Sequence, residues 1–356
     1  MQDHDVSCQP GKIVLFGSGE TSPDGRKVFD WLFSTLKEAP RVAILETPAG
    51  FEPNSARVAG RIADFLCERL QNYEPAVQVV PARQRGTPHS PDDPALAGSV
   101  MQSNVIFLGP GSPSYAVRQL QDSAVWHALR ACHWLGAPLV LASAAAIAIS
   151  QQALPVYEIY KVGADLHWSH GLDLLYPFGL SLTFVPHWDN NDGGEELDTS
   201  RCFMGLVRFE QLWQLLPADA TVVGIEEHTA LILDVATGQG RVAGRGSVTV
   251  QRSGWQQVFE HGARFDLTVL GDYRMPDRLD DVPPAVWAEV AAEAARVPGL
   301  DEPPARIKGL SLERQEARSQ RDWAEADSLR KEIEVLGWQV QDTPSGPILS
   351  KGEQTQ

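Results

Sequence analysis

One hydroxyl group stands among the smallest side chains in the middle of the chain, at Ala142-Ser143-Ala144-Ala145-Ala146. The apolar run of residues 137–141 before it is typical of a buried strand. A strand that turns sharply into a helix needs small neighbours, and such a turn lifts one side chain above the sheet. The pattern makes Ser143 a candidate catalytic nucleophile. The alternative is that Ser143 caps an alanine-rich helix.

Two later residues have the chemistry to activate this hydroxyl. A serine nucleophile needs a base that takes its proton and an acid that orients the base. His187 ends the strand-like run of residues 180–186, and Glu227 follows the strand-like run of residues 221–225. The three residues therefore follow one another along the chain, each at the end of a predicted strand. Taken alone, His187 also fits a structural histidine.

Two glycine turns also follow predicted strands. The glycine turn at residues 109–112 (Gly-Pro-Gly-Ser) can aim a backbone N–H at a developing oxyanion, although Pro-Gly is also an ordinary turn signal. Residues 17–22 have two glycines of a dinucleotide-binding fingerprint, but Ser22 replaces the third glycine, which argues against nucleotide binding. These turns and the run at Ser143 are expected to converge on one site.

The elements that must position these residues alternate between strand-like and helix-like stretches in the first half of the chain. This alternation predicts an α/β fold with a doubly wound, mostly parallel sheet. In such a sheet the ligand lies outside the carboxyl ends of the strands, where the candidate residues stand. The predicted strands are residues 12–16, 41–45, 77–80, 105–108 and 138–141.

Composition limits the classes of function. The chain has 356 residues, which suits one large α/β domain with an appendage, and its net charge is −16. This charge argues against a general binder of nucleic-acid backbones or anionic membranes and favours cationic ligands. The sequence predicts a cytoplasmic protein with no membrane span and free thiols, because no leader-like or long apolar segment is evident and the four cysteines are scattered.

The residues from about 12 to 270 resemble the serine peptidase family of cyanophycinase and aspartyl dipeptidase. That family has a class I glutamine amidotransferase-like, flavodoxin-related fold. Its nucleophile elbow matches residues 141–146, which we call the elbow, and its histidine segment matches Pro186-His187-Trp188. Its acid segment, Gly-Ile-x-Glu-x-Thr-Ala, matches residues 224–230, which places the acid at Glu227.

The resemblance implies hydrolysis of a small peptide or amide substrate without a metal or an organic cofactor. Ser143 would be the nucleophile, His187 the base and Glu227 the acid that orients it. The backbone N–H groups of Gly111 and Ala144 would form the oxyanion hole. A serine at the elbow argues against glutamine amidotransfer, for which related proteins use a thiolate.

Two features depart from the family pattern. At the elbow, Leu141, Ala142 and Ala145 stand where the family has glycine, threonine and glycine, so a catalytically silent scaffold is an alternative. The acidic loop, residues 189–198, is longer than in cyanophycinase and is predicted to hold a basic group of the substrate. Surface decoration and a calcium loop are the other interpretations, although the calcium loop lacks its terminal glutamate. The predicted substrate-binding residues are Gly109, Ser112, Asp189, Asp192, Glu195 and Arg201.

The composition changes after residue 270. We predict an α/β domain at residues 1–270, a linker rich in proline and acid with one helix at residues 271–306, and a helical hairpin at residues 307–352. Ala326, Leu329, Ile333 and Leu336 share one helical face, and Gly337 is expected to end that helix.

The tail closely resembles the carboxyl-terminal end of cysteinyl-tRNA synthetase. The resemblance implies tRNA as a partner and a tRNA-linked protein as the alternative function. The balanced charge of the tail gives little attraction for phosphate by itself, so a module for packing or for forming a homodimer is the other interpretation. Because the signature segments of a synthetase are absent from the sequence, aminoacylation is not implied.

Overall fold

The computed structural model describes residues 9–277, 282–294, 305–320, 322–343 and 346–351. The chain forms two compact units, Met1–Glu293 and Ala294–Gln356.

The first unit contains most of the regular elements, and α/β alternation dominates its first half. Its first part comprises β1 (Ile13–Phe16), α1 (Pro23–Ser34), β2 (Arg41–Leu45), α2 (Ser55–Arg69), β3 (Ala76–Val80), α3 (Pro94–Met101), β4 (Val105–Leu108), α4 (Pro113–Leu120), α5 (Ala124–Trp134), β5 (Leu139–Ala142) and α6 (Ala144–Ala148). Its second part comprises β6 (Gln152–Ala153), β7 (Ser169–His170), β8 (Leu182–Val185), α7 (Gly205–Gln214), β9 (Thr221–Ile225), β10 (Thr229–Asp234), β11 (Gln239–Gly244), β12 (Val248–Arg252), β13 (Trp255–Phe259), β14 (Arg264–Asp266) and α8 (Pro284–Ala294). Short 3₁₀ helices cover Thr47–Ala49, Gln71–Tyr73, Tyr176–Phe178 and Leu267–Val269, and a π-helix covers Tyr157–Lys161.

The predicted mostly parallel central sheet is confirmed. It has eight strands in the order β14-β11-β10-β1-β5-β4-β2-β3. The five strands from β1 to β3 in that order run parallel, and β10, β11 and β14 extend the sheet with antiparallel pairs. This sheet places the carboxyl ends of β1, β4 and β5 side by side at one edge.

The core lies on both faces of the central sheet. Along β1, Ile13 and Leu15 pack into one hydrophobic cluster, while Val14 and Phe16 pack into the cluster on the other face. Successive side chains of a strand point to opposite faces, so a strand covered on both faces is apolar throughout. This explains why the predicted strands appear in the sequence as uninterrupted apolar runs.

A second sheet carries the histidine and the acid. Its order is β13-β12-β9-β8, and β8 and β9 are parallel neighbours. The sequence analysis placed His187 and Glu227 at strand ends and did not predict that these strands form a sheet of their own. The candidate residues therefore come from two sheets, with Ser143 on one and the other two on the second.

The segment predicted as a linker contributes to the core of the first unit. Val282 and Val290, from the start and middle of the α8 region, are 4% and 2% exposed and belong to the same hydrophobic cluster as Ile13 and Leu15. The helix is described over Pro284–Ala294, and the last three residues of the predicted range of 284–297 lie outside the described residues.

The second unit consists of two helices and a strand hairpin: α9 (Ala305–Ser319), α10 (Trp323–Val335), β15 (Trp338–Thr343) and β16 (Gly346–Lys351). Ala326, Leu329 and Ile333 are buried, whereas Leu336 is 38% exposed. Gly337 follows the helix with φ 82°, a conformation that favours glycine. The sequence analysis did not predict the strand hairpin, whose Trp338 packs against Ile333.

None of the helices in the described parts of the chain combines the length and the apolar character that crossing a bilayer requires.

Candidate active site

The elbow forms a sharp turn between β5 and α6. Ser143 has φ 53° and ψ −111°, a backbone conformation that a residue other than glycine adopts only where the surrounding contacts impose it. Its amide donates a hydrogen bond to the carbonyl oxygen of Phe16 at 3.2 Å, which ties the turn to β1. The turn thus forms with Leu141, Ala142 and Ala145 in place of the two glycines and the threonine.

Small side chains leave room for this turn. The alanines on both sides of Ser143, residues 142 and 144–146, are at most 2% exposed. A larger side chain there would meet the strands and helices packed around the turn, since protein interiors are close-packed. The hydroxyl of Ser143 accordingly projects from a rigid support.

The three predicted catalytic residues form one hydrogen-bonded chain. Ser143 Oγ lies 2.9 Å from His187 Nε2, and His187 Nδ1 lies 2.9 Å from Glu227 Oε1. A carboxylate can only accept, so the partners assign the imidazole proton to Nδ1, which donates to Glu227. Nε2 is then the lone-pair nitrogen that accepts the proton of the Ser143 hydroxyl.

Two residues of the acidic loop hold Glu227 in place. The Asn190 side-chain amide donates to Glu227 Oε1 at 3.0 Å, and Asp189 Oδ1 accepts the backbone N–H of Glu227 at 2.7 Å. Asn190 is only 3% exposed. The sequence analysis did not identify Asn190 as functional, because an amide inside a polar loop has no periodicity or motif that distinguishes it.

The electrostatics of the site keep Glu227 ionised. Its hydrogen bond with His187 is the largest effect and lowers the pKa of the Glu227 carboxyl to about 2. Burial opposes this shift, while the Asn190 hydrogen bond and the charges of His187 and His228 add to it. A permanent carboxylate is suited to orienting the imidazole and stabilising the imidazolium that forms when His187 takes a proton.

The glycine turn lies beside the elbow. Leu108, at the end of β4, pairs with Leu141 of β5, and α4, which begins after the turn, packs on α6 through Ala116 and Ala148. Gly111 has φ 148°, and a Cβ there would lie 2.0 Å from the Pro48 carbonyl oxygen. Only glycine fits this close approach of two loops.

The predicted oxyanion and binding groups of this region are backbone amides and a capping hydroxyl. Ala144 is the first residue of α6, so its N–H has no acceptor within the helix. The hydroxyl of Ser112 accepts the Tyr115 N–H at 3.2 Å and caps α4. Ser112 is 5% exposed. The hydrogen bond described for its hydroxyl is the one that caps α4.

The acidic loop is fixed by polar contacts near both ends. Asp189 contacts Glu227, and Asp198 accepts the backbone N–H of Leu206 at 2.7 Å. Asp192 and Glu195 are exposed.

Arg201 is directed at the protein itself. Its Nη1 donates to the carbonyl oxygen of Trp188 at 2.6 Å, and its guanidinium carbon lies 3.8 Å from the centre of the Trp188 ring. The sequence analysis predicted contact of Arg201 with substrate, and the structure instead places its guanidinium on the residue next to His187.

The loop after β1 completes the surroundings of His187. The carbonyl oxygen of Gly17 accepts the His187 backbone N–H at 3.3 Å, and Ser18 Oγ accepts the backbone N–H of His228 at 3.2 Å. Burial raises the pKa of the nearby Glu20 carboxyl, against the charges of both histidines. This loop was predicted to converge on the site with the other two.

Aromatic rings border the same region. The ring of Phe203 lies 5.7 Å from His187 and 5.4 Å from Tyr160, measured between centroids. Near the glycine turn, Phe51 is 45% exposed and lies 5.1 Å from the ring of Tyr115. These rings give the surroundings of the polar chain an apolar surface.

The described residues contain no group of three or more histidine, cysteine, aspartate or glutamate side chains placed to hold a metal ion.

The fold is similar to the crystal structure of a peptidase from an acI-B1 Actinobacterium, with a TM-score of 0.59 over 72% of this chain and 97% of that chain. Sequence identity is 19%, so this likeness establishes the fold alone. No protein-family model matches the chain.

The sequence matches are to cysteine–tRNA ligases. The chain is 32% identical over 107 residues to cysteine–tRNA ligase 1 of Burkholderia lata and 42% identical over 57 residues to the cysteine–tRNA ligase of Methanosarcina mazei. These matches cover 25% and 16% of this chain but only 23% and 12% of the two ligases. They confirm the resemblance of the tail to cysteine–tRNA ligases.

Proposed function

We propose that the chain is a serine hydrolase of the cyanophycinase and dipeptidase type, which cleaves a peptide or amide bond through an acyl-enzyme on Ser143. The hydrogen-bonded chain from Ser143 through His187 to Glu227, with both distances at 2.9 Å, is the observation that supports it most directly. A serine held on a strained turn, next to a base that is oriented by a carboxylate, is the arrangement that nucleophilic catalysis by serine requires.

The first half of the reaction transfers the acyl group to the enzyme. Ser143 Oγ attacks the substrate carbonyl carbon while His187 Nε2 takes the hydroxyl proton, and Glu227 stabilises the resulting imidazolium. The N–H groups of Ala144 and Gly111 donate to the oxyanion. The imidazolium then returns its proton to the departing amine as the carbon–nitrogen bond breaks, which leaves the ester on Ser143.

The second half releases the acid. A water molecule attacks the ester carbonyl and gives one proton to His187 Nε2. When the ester bond breaks, His187 returns the proton to Ser143 Oγ and the free enzyme is restored.

A basic group on the substrate is the preference we propose. The chain carries a net charge of −16, and the exposed carboxylates of Asp192 and Glu195 lie on the acidic loop that also contacts Glu227. Carboxylates form charge-assisted hydrogen bonds with guanidinium and ammonium groups.

The test is hydrolysis of a panel of short peptides, including β-aspartyl and arginine-containing ones, by the wild type and Ser143→Ala. Ser34→Ala is the matched control, because Ser34 is exposed on α1 and its hydroxyl donates to the carbonyl oxygen of Trp31. We expect product release by the wild type and the control and none above background by Ser143→Ala. Equal release by the wild type and Ser143→Ala would exclude Ser143 as the nucleophile. Release by none of the three proteins would exclude the proposal in favour of a silent scaffold.

A second candidate function is binding of tRNA, which is favoured by the similarity of the tail to cysteine–tRNA ligases. Binding of transfer RNA to the full chain should then weaken between about 50 and about 200 mM salt, because phosphate contacts release counterions. Absence of binding at the lower salt concentration would exclude this function without affecting the first.

A further inference from the structure

The indole ring of Trp188 contacts two residues from different segments. Gly224 of β9 lies against it, and a Cβ there would come within 2.2 Å of the indole Cδ2 atom. The guanidinium carbon of Arg201 lies 3.8 Å from the ring centre. We call this arrangement the Trp188 stack, formed by Gly224, Trp188 and Arg201.

The stack joins the segments that carry the base and the acid. Trp188 directly follows His187, and Gly224 precedes Glu227 by three residues. The backbone N–H of Trp188 donates to the carbonyl oxygen of Ile225 at 3.1 Å, so Trp188 is also hydrogen-bonded to the backbone of β9. Movement of the indole would therefore change the distance between the two catalytic side chains.

Arg201 closes the other end of this connection. Its backbone N–H donates to the Trp188 carbonyl oxygen at 3.0 Å, and its Nη1 donates to the same oxygen at 2.6 Å. The next residue, Cys202, donates its N–H to the carbonyl oxygen of His187 at 3.1 Å. Arg201 and Cys202 thus form hydrogen bonds to the backbone carbonyl oxygens of Trp188 and His187.

The backbone is strained in both of the segments that these hydrogen bonds join. His187 has φ 51°, and the successive residues Arg201, Cys202 and Phe203 have φ 57°, 58° and 67°. Residues other than glycine rarely adopt such positive φ values, which persist only where the surrounding contacts impose them. Without the stack, relaxation of these residues would carry His187 away from Ser143 and Glu227.

We propose that the Trp188 stack positions the His187–Glu227 pair, with Arg201 acting as a positioning residue through Trp188. This inference rests on the proposed serine hydrolase function. It gives Arg201 a role other than the substrate contact expected from the sequence, since both its charge and its planar face are used within the protein. A planar guanidinium covers an aromatic face and donates at its edge at the same time, which a lysine ammonium does not reproduce.

The test uses a fluorophosphonate probe, which reacts with an activated serine and requires no knowledge of the substrate. Arg201→Met removes the charge and the planar group, and Arg201→Lys keeps the charge alone. Arg241→Met is the matched control, because Arg241 also covers a tryptophan, at 5.2 Å from the ring centre of Trp31, and joins β11 of the central sheet to α1.

The second-order rate of Ser143 labelling should fall about 100-fold in Arg201→Met, as for a misplacement of about 1 Å in a catalytic group. Arg201→Lys should lie between Arg201→Met and the wild type, and Arg241→Met should label at the wild-type rate. The low-field proton resonance of the His187–Glu227 hydrogen bond should weaken or shift in both Arg201 variants. A merely structural role for Arg201 would leave that resonance unchanged in folded protein.

The outcomes distinguish the two proposals. If wild-type Ser143 does not react with the probe at all, the proposed function fails, and the resonance alone then decides whether Arg201 positions the pair. If the wild type reacts, and folded Arg201→Met labels within twofold of it with the resonance unchanged, the positioning role is excluded. Should Arg201→Met fail to fold by circular dichroism, Arg201→Lys decides by the same two measurements.

Discussion

The elbow that carries Ser143 and the loop that carries His187 differ in what holds them in place. Around Ser143 the contacts are apolar and small, and the flanking alanines are at most 2% exposed. Around His187 the contacts are polar and charged: Asn190 binds Glu227, Asp189 binds the Glu227 amide, and Arg201 binds Trp188. One half of the site is positioned by packing and the other by directed hydrogen bonds.

This difference matches the two sheets from which the halves come. The elbow follows β5, which lies between β1 and β4 in the middle of the central sheet, so its position is fixed from both sides. His187 follows β8, which stands at the end of the second sheet and has β9 as its one neighbouring strand there. Substitutions that remove single polar groups should accordingly harm the second half most.

The largest effect is expected for Glu227→Gln. The amide keeps the shape of the side chain but removes the charge that stabilises the imidazolium and favours the wrong imidazole tautomer, so kcat/KM should fall about 10⁴-fold. Glu226→Gln is the control, because Glu226 accepts the backbone N–H of Ser247 through Oε2 and has no described bond to His187. Steady-state kinetics on the best peptide of the panel measures both. A loss below about tenfold in Glu227→Gln would show that the polar half tolerates loss of its charge.

A smaller loss is expected for Asn190→Ala. The substitution removes a hydrogen bond to the Glu227 carboxylate, whose side chain is 29% exposed, so the net cost is about 0.5–1.5 kcal/mol. The free energy of unfolding should fall by this amount, and kcat/KM should fall about tenfold as Glu227 loses its fixed orientation. The adjacent, exposed Asn191 supplies the control Asn191→Ala, which should leave both quantities unchanged. Equal behaviour of the two variants would remove Asn190 from the site.

These two residues also mark how far the sequence alone reaches. Ser143, His187 and Glu227 were identifiable because each ends an apolar run, and the position after a buried strand is visible in the order of residue types. Asn190 was not, since its role depends on where Glu227 lies in space and not on its neighbours in the chain. The Trp188 stack was missed for the same reason. Arg201 follows Trp188 by 13 residues and Gly224 follows Arg201 by 23, so only the folded chain brings them together.

The fold divides in a similar way. The strands of the central sheet were predictable because they are buried on both faces and therefore apolar throughout. That β8 and β9 leave this sheet and pair with each other had no signal in their composition, since strand pairing depends on the partner and not on the strand. The strand hairpin of the second unit was hidden because the helix periodicity of residues 326–336 dominated the segment.

The packed half of the site can be tested at Ala145, a fully buried residue of the elbow. Ala145→Leu forces extra volume into a filled space, so the free energy of unfolding should fall by about 1–3 kcal/mol. Labelling of Ser143 by the fluorophosphonate should slow in parallel. Ala56→Leu, on the exposed face of α2, is the control and should change neither. Unchanged stability in Ala145→Leu would contradict the view that packing positions Ser143.

The acidic loop should influence substrate choice only modestly. In the double variant Asp192→Asn and Glu195→Gln, discrimination between arginine-containing and neutral peptides should fall by a few-fold, because exposed ion pairs contribute about 0.2–1 kcal/mol each. The ratio of kcat/KM for the two substrate types measures the effect. The difference in this ratio between the wild type and the double variant should shrink as salt is raised. An unchanged ratio would exclude these carboxylates from recognition of the basic group.

The smallest effect is expected in the response of stability to acid. The hydrogen bond from His187 lowers the pKa of Glu227 to about 2 from its ordinary value of 4.5, so its ionised form stabilises the folded state. This contribution is complete above about pH 4.5 and is lost as the pH falls through about 2. Glu227→Gln has no proton to bind, so the difference in melting temperature between it and the wild type should be constant near neutrality and narrow between pH 4.5 and pH 2. A difference that stays constant over this range would mean that the carboxylate gains nothing from its partners in the fold, and the contrast between a packed and a hydrogen-bonded half of the site would then fail at its central residue.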